Sequence, residues 1–240
     1  MSHPHDREAL SSRFDLEDAM AQGERCPVCH LLESHLVRYL DAINYEAVND
    51  PGFRQSFLDA QGFCNVHAYQ WLHRAFVLGT ASLYRELLAE TLDAGSSGTP
   101  GGMRVEDRIA RWFGQTFHGD TSPTHPPCPI CAWLDTTEAG LISMLVTALD
   151  DPAFAGAYNR STGLCLPHLH LAIARAIPGE ARAVLEDRAR ATEERLVAQL
   201  AEIIRKHDYR FSHEPPGEET GAAARAIAHA IGFHGLIPRS

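Results

Sequence analysis

From Val28 onward, apolar residues fall three or four positions apart at Val28, Leu32, Leu36, Leu40, Ile43 and Ala47, with polar residues filling the gaps. That spacing predicts a helix with one buried stripe. It returns at Ile130, Leu134, Leu141, Leu145 and Leu149. Asp50-Pro51 and Asp151-Pro152 each predict the start of a short helix, with Asp as N-cap and Pro at the first helical position. Gly62 and Gly163 predict its end, because glycine accepts the left-handed conformation there. A long helix should follow in each half. The first carries Trp71, Leu72, Leu83, Leu87 and Leu88; the second resumes after a break at Pro178-Gly179 with Leu185, Ala189, Leu196, Leu200 and Ile203. Further helices are predicted over roughly 7–21 and 103–117. Trp71, Trp112 and Trp133 fall on these stripes and read as core. No segment alternates with a period of two, so the expected fold class is all-α, a helical bundle.

The two halves also match each other. A shift of 101 or 102 positions lays Cys26-Pro27-Val28-Cys29 on Cys128-Pro129-Ile130-Cys131, and Asp50-Pro51 on Asp151-Pro152. The same shift lays Gly62-Phe63-Cys64-Asn65-Val66-His67 on Gly163-Leu164-Cys165-Leu166-Pro167-His168. Two pseudo-repeats, 1–93 and 103–211, are therefore expected, joined by the Gly/Ser-rich stretch 94–102 and followed by a tail, 212–240, with a short helix.

Composition narrows the class. With 21 Lys and Arg against 31 Asp and Glu, the net charge is −10, which argues against generic nucleic-acid binding. No apolar run reaches the length of a membrane span, and the residues after Met1 lack the apolar core of a secretion signal. A cytoplasmic address follows as the expectation. There, six cysteines are poor candidates for disulfides, and all six belong to the two motif sets.

Cys-x-x-Cys lets two thiolates reach one ion from a single turn, and a distant Cys-x-x-His completes a tetrahedral set of three sulfurs and one imidazole. Cys26, Cys29, Cys64, His67, Cys128, Cys131, Cys165 and His168 are the candidate ligands, for two zinc ions. Each ligand pair sits where a helix is expected to begin, so the helix dipole favours thiolate. Other readings of these residues are an iron–sulfur cluster at each Cys₃His set, a dithiol redox centre and buried thiols packed as core. The dithiol reading lacks the strand that precedes such a motif in thioredoxin-like proteins. His30, His73 and His170 lie near the motifs and read as surface or supporting groups. Glu33 and Asp135 are the symmetric carboxylates a metallohydrolase would need as a base, but exposed helix surface is their ordinary place.

Together, C-P-V-C, N-D-P, G-F-C-N-V-H, C-P-I-C, G-L-C-L-P-H and a tail with Lys206-His207-Asp208-Tyr209-Arg210-Phe211 and Gly217-Glu218-Glu219 resemble a prokaryotic family catalogued as domain of unknown function 6062. The resemblance covers most of the chain from Cys26 onward and implies no particular activity. The expected role is non-catalytic: two structural zinc ions staple helix ends, and a helical surface meets a protein partner, with no nucleic acid and no membrane involved. The alternative is a redox or sensor protein. Two ligand pairings are compatible with the motifs. A path-length estimate allows each repeat to close its own site, Cys26, Cys29, Cys64 and His67 on one ion and Cys128, Cys131, Cys165 and His168 on the other; that is the expectation here, and exchange between repeats is the alternative.

Overall fold

Proline stands at the first position of four helices, at Pro27, Pro51, Pro129 and Pro152. A computed structural model describes residues 13–23, 25–96, 126–211 and 213–232. Among these residues it contains ten α-helices and no strand: α1 (Arg13–Gln22), α2 (Pro27–Tyr45), α3 (Pro51–Asp59), α4 (Asn65–Arg74), α5 (Val77–Ser96), α6 (Pro129–Ala148), α7 (Pro152–Arg160), α8 (Leu166–Arg175), α9 (Glu180–Lys206) and α10 (Ala222–Ile231). A 3₁₀ turn, Ala47–Asn49, joins α2 to α3. The helix expected over 103–117 and the linker from 97 onward lie outside the described residues, whereas residues 94–96 complete α5. Among the described residues no helix is long and apolar enough to cross a membrane.

Both short helices start as expected. Asp50 accepts a bond from the Phe53 N–H at 2.7 Å, and Asp151 accepts one from the Ala153 N–H at 2.8 Å. The exit from α3 differs from the expectation. Gln61 takes the left-handed conformation first (φ 57°) and Gly62 follows at φ 96°. The Gly62 N–H bonds to Phe57 O and the Gln61 N–H to Leu58 O, which satisfies the last carbonyls of the helix. Gly163 is likewise left-handed, at φ 75°.

The described residues fall into two compact units. One gathers those up to His35 with those from Leu134 onward; the other runs from Leu36 to Trp133. The chain thus passes from one unit to the other inside α2 and again inside α6. In the first unit α1 packs on α7, where Arg13 pairs with Asp151 at 2.6 Å and lies over the Phe154 ring. Helix α9 carries α7, α8 and α10. Its core includes Leu16, Leu32, Ile142, Leu145, Phe154, Tyr158 and Leu185, all fully buried. The second unit is built on an aromatic cluster: Phe63 sits 4.9 Å from Phe57 and 5.7 Å from Trp71, and Phe57 sits 5.4 Å from Tyr84.

Every residue of the two stripes expected in α2 and α6 is buried. The stripe expected beyond His67 is not continuous. Helix α4 ends at Arg74 and α5 begins at Val77, although neither Pro nor Gly stands between them. The side chain of Asn44 makes this break tolerable: its amide donates to Arg74 O at 3.2 Å, and its carbonyl accepts from the Phe76 N–H at 3.2 Å. Trp71 and Leu83 are buried as expected, but Leu72 and Leu88 are 56 % and 59 % exposed.

The tail between α9 and α10 is bonded to the end of α9. Lys206 donates to Pro215 O at 2.7 Å and to the Glu219 carboxylate at 2.8 Å, and Arg205 pairs with Glu202 and Glu214. The Gly217 N–H also donates to Glu219, at 2.9 Å. A side chain at Gly217 would meet that carboxylate at 2.8 Å, so the Glu219 side chain would have to shift to admit it.

Candidate metal centres

Four cysteines open four helices. The carbonyls of Cys26, Cys64, Cys128 and Cys165 accept the first intrahelical bonds of α2, α4, α6 and α8, from the N–H groups of His30, Ala68, Ala132 and Leu169 at 2.8–3.0 Å. Each therefore sits at the positive end of a helix dipole, which stabilises thiolate. Cys29 and Cys131 stand three residues further along α2 and α6, on the same helix face as the first thiol.

The eight candidate ligands gather into two groups, but not as self-closure requires. Cys26, Cys29, Cys165 and His168 form one tetrad and Cys64, His67, Cys128 and Cys131 the other, and within each tetrad all ligand atoms lie within 4.8 Å of one another. The expected pairing within each repeat is thus incorrect, and the exchanged pairing holds. Length is the reason. Helix α2 rises about 28 Å over its 19 residues, whereas α3, with nine residues, returns about 13 Å. Residues 46–50 go into the 3₁₀ turn and the Asp50 cap and add no extended reach. Cys64 and His67 instead meet the start of α6, where Trp133 stacks on Tyr39 with ring centroids 4.2 Å apart.

In the first tetrad, His168 Nδ1 lies 3.4 Å from the Sγ atoms of Cys26 and Cys29 and 3.1 Å from that of Cys165; the Cys29 and Cys165 Sγ atoms are 3.7 Å apart. All four residues are buried. Behind the imidazole, a Glu138 oxygen stands 2.8 Å from Nε2, close enough for an ion pair although the ring N–H is not aimed along the line between them. In the second tetrad, His67 Nδ1 lies 3.2 Å from Cys64 and from Cys131 Sγ and 3.8 Å from Cys128 Sγ; the Cys64 and Cys131 Sγ atoms are again 3.7 Å apart. Here Cys64 and Cys131 are only half-buried, and the buried Nε2 of His67 has no hydrogen-bond partner.

A tetrahedral zinc with sulfur bonds of about 2.3 Å and nitrogen bonds of about 2.0 Å places its ligand atoms roughly 3.5–3.8 Å apart. The 3.7 Å sulfur–sulfur separations in both tetrads match that scale, and the sulfur–nitrogen separations of 3.1–3.8 Å lie around it. Without metal, the same closeness leaves protons shared unevenly. Burial opposes the imidazolium of His67, yet Cys128 and Cys64 push its pKa up to about 9; burial opposes that of His168, yet Cys165, Cys26 and Glu138 push it up to about 12. Bonds from Cys128 and Cys131 lower Cys64, while bonds to Cys128 and Cys64 raise Cys131. Burial raises Cys26, but bonds from Cys165, Cys29 and His168 bring it well below the usual range; Cys165 and Cys26 raise Cys29. A metal entering either tetrad must displace protons.

The other candidates stay outside. His30 is half-buried, His73 and His170 are exposed, and none belongs to a tetrad. Glu33 pairs with Arg25 at 2.5 Å, and Asp135 is exposed. Trp133 is half-buried against Tyr39, and Trp112 lies outside the described residues. Glu138 escaped the sequence reading. Its signal was there, two helical turns after Cys131 on the same face, but the matching position after Cys29 is Leu36, and a search for symmetric carboxylates passes over it.

Comparison with known proteins agrees with the motif resemblance. Residues 10–235 match the family of unknown function DUF6062, and the chain belongs to that family. It is similar to an uncharacterized 23.9 kDa protein encoded in the xynA 3′ region of Caldicellulosiruptor sp. (strain Rt8B.4), 24% identical over 198 residues that cover 79% of this chain and 86% of that protein. No solved structure matches.

Proposed function

We propose that this member of the DUF6062 family is a non-catalytic, cytoplasmic scaffold in which two zinc ions, one in each tetrad, hold helix ends together and a helical surface receives a protein partner. One observation carries the zinc reading: three sulfurs and one imidazole nitrogen converge, twice, within 4.8 Å of one another, with a sulfur–sulfur separation of 3.7 Å in each group that suits a single-ion tetrahedron. Thiolate and imidazole together suit zinc, and four protein ligands leave no open position for a reacting water. The spacing speaks against the iron–sulfur alternative, because a polynuclear cluster holds its ligand sulfurs apart by its own width. Core packing of thiols does not account for an imidazole nitrogen set among three sulfurs. The interaction reading draws on apolar side chains in solvent where α4 turns into α5: Tyr69, Leu72, Phe76, Val77 and Leu78, the last two 86 % and 81 % exposed. The acidic balance of the chain suits a basic partner.

The experiment is elemental analysis and a visible spectrum of protein purified without oxygen. Two zinc ions per chain and no colour are expected. Fewer than one ion per chain defeats the reading, and iron with acid-labile sulfide replaces it with the cluster alternative.

A further inference from the structure

The two tetrads share ligand types, helix positions and a 3.7 Å sulfur–sulfur approach, and differ in two respects. In the first, Cys26, Cys29 and Cys165 are buried, the last two at 2 % and 1 % exposure, and Glu138 backs the histidine. In the second, Cys64 and Cys131 are partly open to solvent, and the far nitrogen of His67 has no partner. An outer carboxylate fixes a ligating imidazole and raises its basicity, and its loss costs roughly 10–100-fold in metal affinity. Thiolates react with oxidants in proportion to their exposure. Proximity of sulfurs does not discriminate between the centres, because Cys29 and Cys165 are as close as Cys64 and Cys131. Access and the outer carboxylate do, and both point the same way.

Building on the zinc reading above, we propose that the Cys64–His67–Cys128–Cys131 centre is an oxidation site, at which hydrogen peroxide joins Cys64 to Cys131 and releases the ion, while the Cys26–Cys29–Cys165–His168 centre keeps its own. One exposed thiolate attacks the peroxide oxygen; a sulfur–oxygen bond forms, the oxygen–oxygen bond breaks, and the departing hydroxide takes a proton to become water. The second thiolate then attacks the sulfenic sulfur; the disulfide forms, and the sulfur–oxygen bond breaks to give a second water after protonation. The two sulfurs lose two electrons and the peroxide gains them. Zinc, left with Cys128 and His67 alone, departs as the divalent cation. Cys64 opens α4 and Cys131 lies in the first turn of α6, so the new bond joins two helix ends that zinc had joined.

The test treats full-length protein, purified without oxygen and assayed for zinc, with limiting hydrogen peroxide in the presence of a zinc-sensitive dye, followed by denaturation, alkylation and peptide mass spectrometry. One ion should leave at least about tenfold faster than the other, given the 10–100-fold cost of lacking the outer carboxylate. The first product should be a Cys64–Cys131 cross-link, with Cys26, Cys29 and Cys165 still open to alkylation once unfolded. Release of both ions at one rate, or a first cross-link between Cys29 and Cys165, overturns the proposal. Fewer than one zinc ion per chain before peroxide is added defeats the zinc reading and this proposal with it, whereas a Cys64–His67–Cys128–Cys131 centre that holds no zinc overturns this proposal alone. Glu138→Gln supplies a second arm: the retained ion should now leave about 10–100-fold faster, and an unchanged rate overturns the role given to that carboxylate.

Discussion

Glu219 shows how a single tail residue acquires a purpose from its surroundings. In sequence, Gly217-Glu218-Glu219 is a motif without a chemistry; in the fold its last carboxylate is held by Lys206 and the Gly217 N–H. Bonding to Lys206 first, and to the Gly217 N–H next, depresses the Glu219 pKa to about 2, from the ordinary 4.5. A carboxylate with a depressed pKa contributes stability that is complete above its ordinary value and is lost as pH falls toward its folded value. The segment should therefore stay docked at pH 5 and loosen as pH falls from 4.5 through about 2. Glu219→Gln should loosen it at neutral pH, because the amide keeps an acceptor and loses the charge. Hydrogen exchange of residues 213–221 reads both effects. Protection that is equal in the two proteins at pH 7 would show that the ion pair does not hold the segment.

At the scale of the element, the sequence was most legible where structure depends on neighbours in the chain. The caps at Asp50 and Asp151, the stripes of α2 and α6, and the left-handed glycines all follow from residues within a turn or two. The break between α4 and α5 does not. Nothing from Ala75 to Val77 forbids a helix; the break is held by Asn44, far away on α2, which bonds to both exposed ends. A pattern of apolar positions carries no trace of such a contact, so it placed Leu72 and Leu88 in a stripe they do not join. Asn44→Ala leaves Arg74 O and the Phe76 N–H without these partners. Because the site is open to water, the expected loss is modest, about 1–2 kcal/mol for two hydrogen bonds. Urea unfolding of the metal-loaded protein measures it, and a loss below a few tenths of a kcal/mol would mean that water replaces the amide fully. Glu138 escaped notice for a related reason: its partner comes from α8, which spacing along α6 alone does not bring to it.

For the whole molecule, the cysteines and histidines that gather were legible and which of them gather together was not. Spacing identifies which residues can bind, but which pair meets which depends on how far a 19-residue helix carries the chain away from its own start. Pairing between the two halves of the sequence has a consequence that double substitutions separate cleanly. Cys26 and Cys165 belong to one tetrad, whereas Cys26 and Cys64 belong to different ones. If zinc fills both, Cys26→Ser with Cys165→Ser should remove one ion and leave one per chain. Cys26→Ser with Cys64→Ser should damage both centres and leave close to none. Closure within each repeat demands the reverse, none for the first combination and one for the second. Structural zinc binding is coupled to folding, so the second combination should also lower thermal stability more than the first, although each removes two thiols. Zinc per soluble chain, measured for both proteins beside the single substitutions, decides between the arrangements. One retained ion in the Cys26→Ser, Cys64→Ser protein would overturn the exchanged pairing.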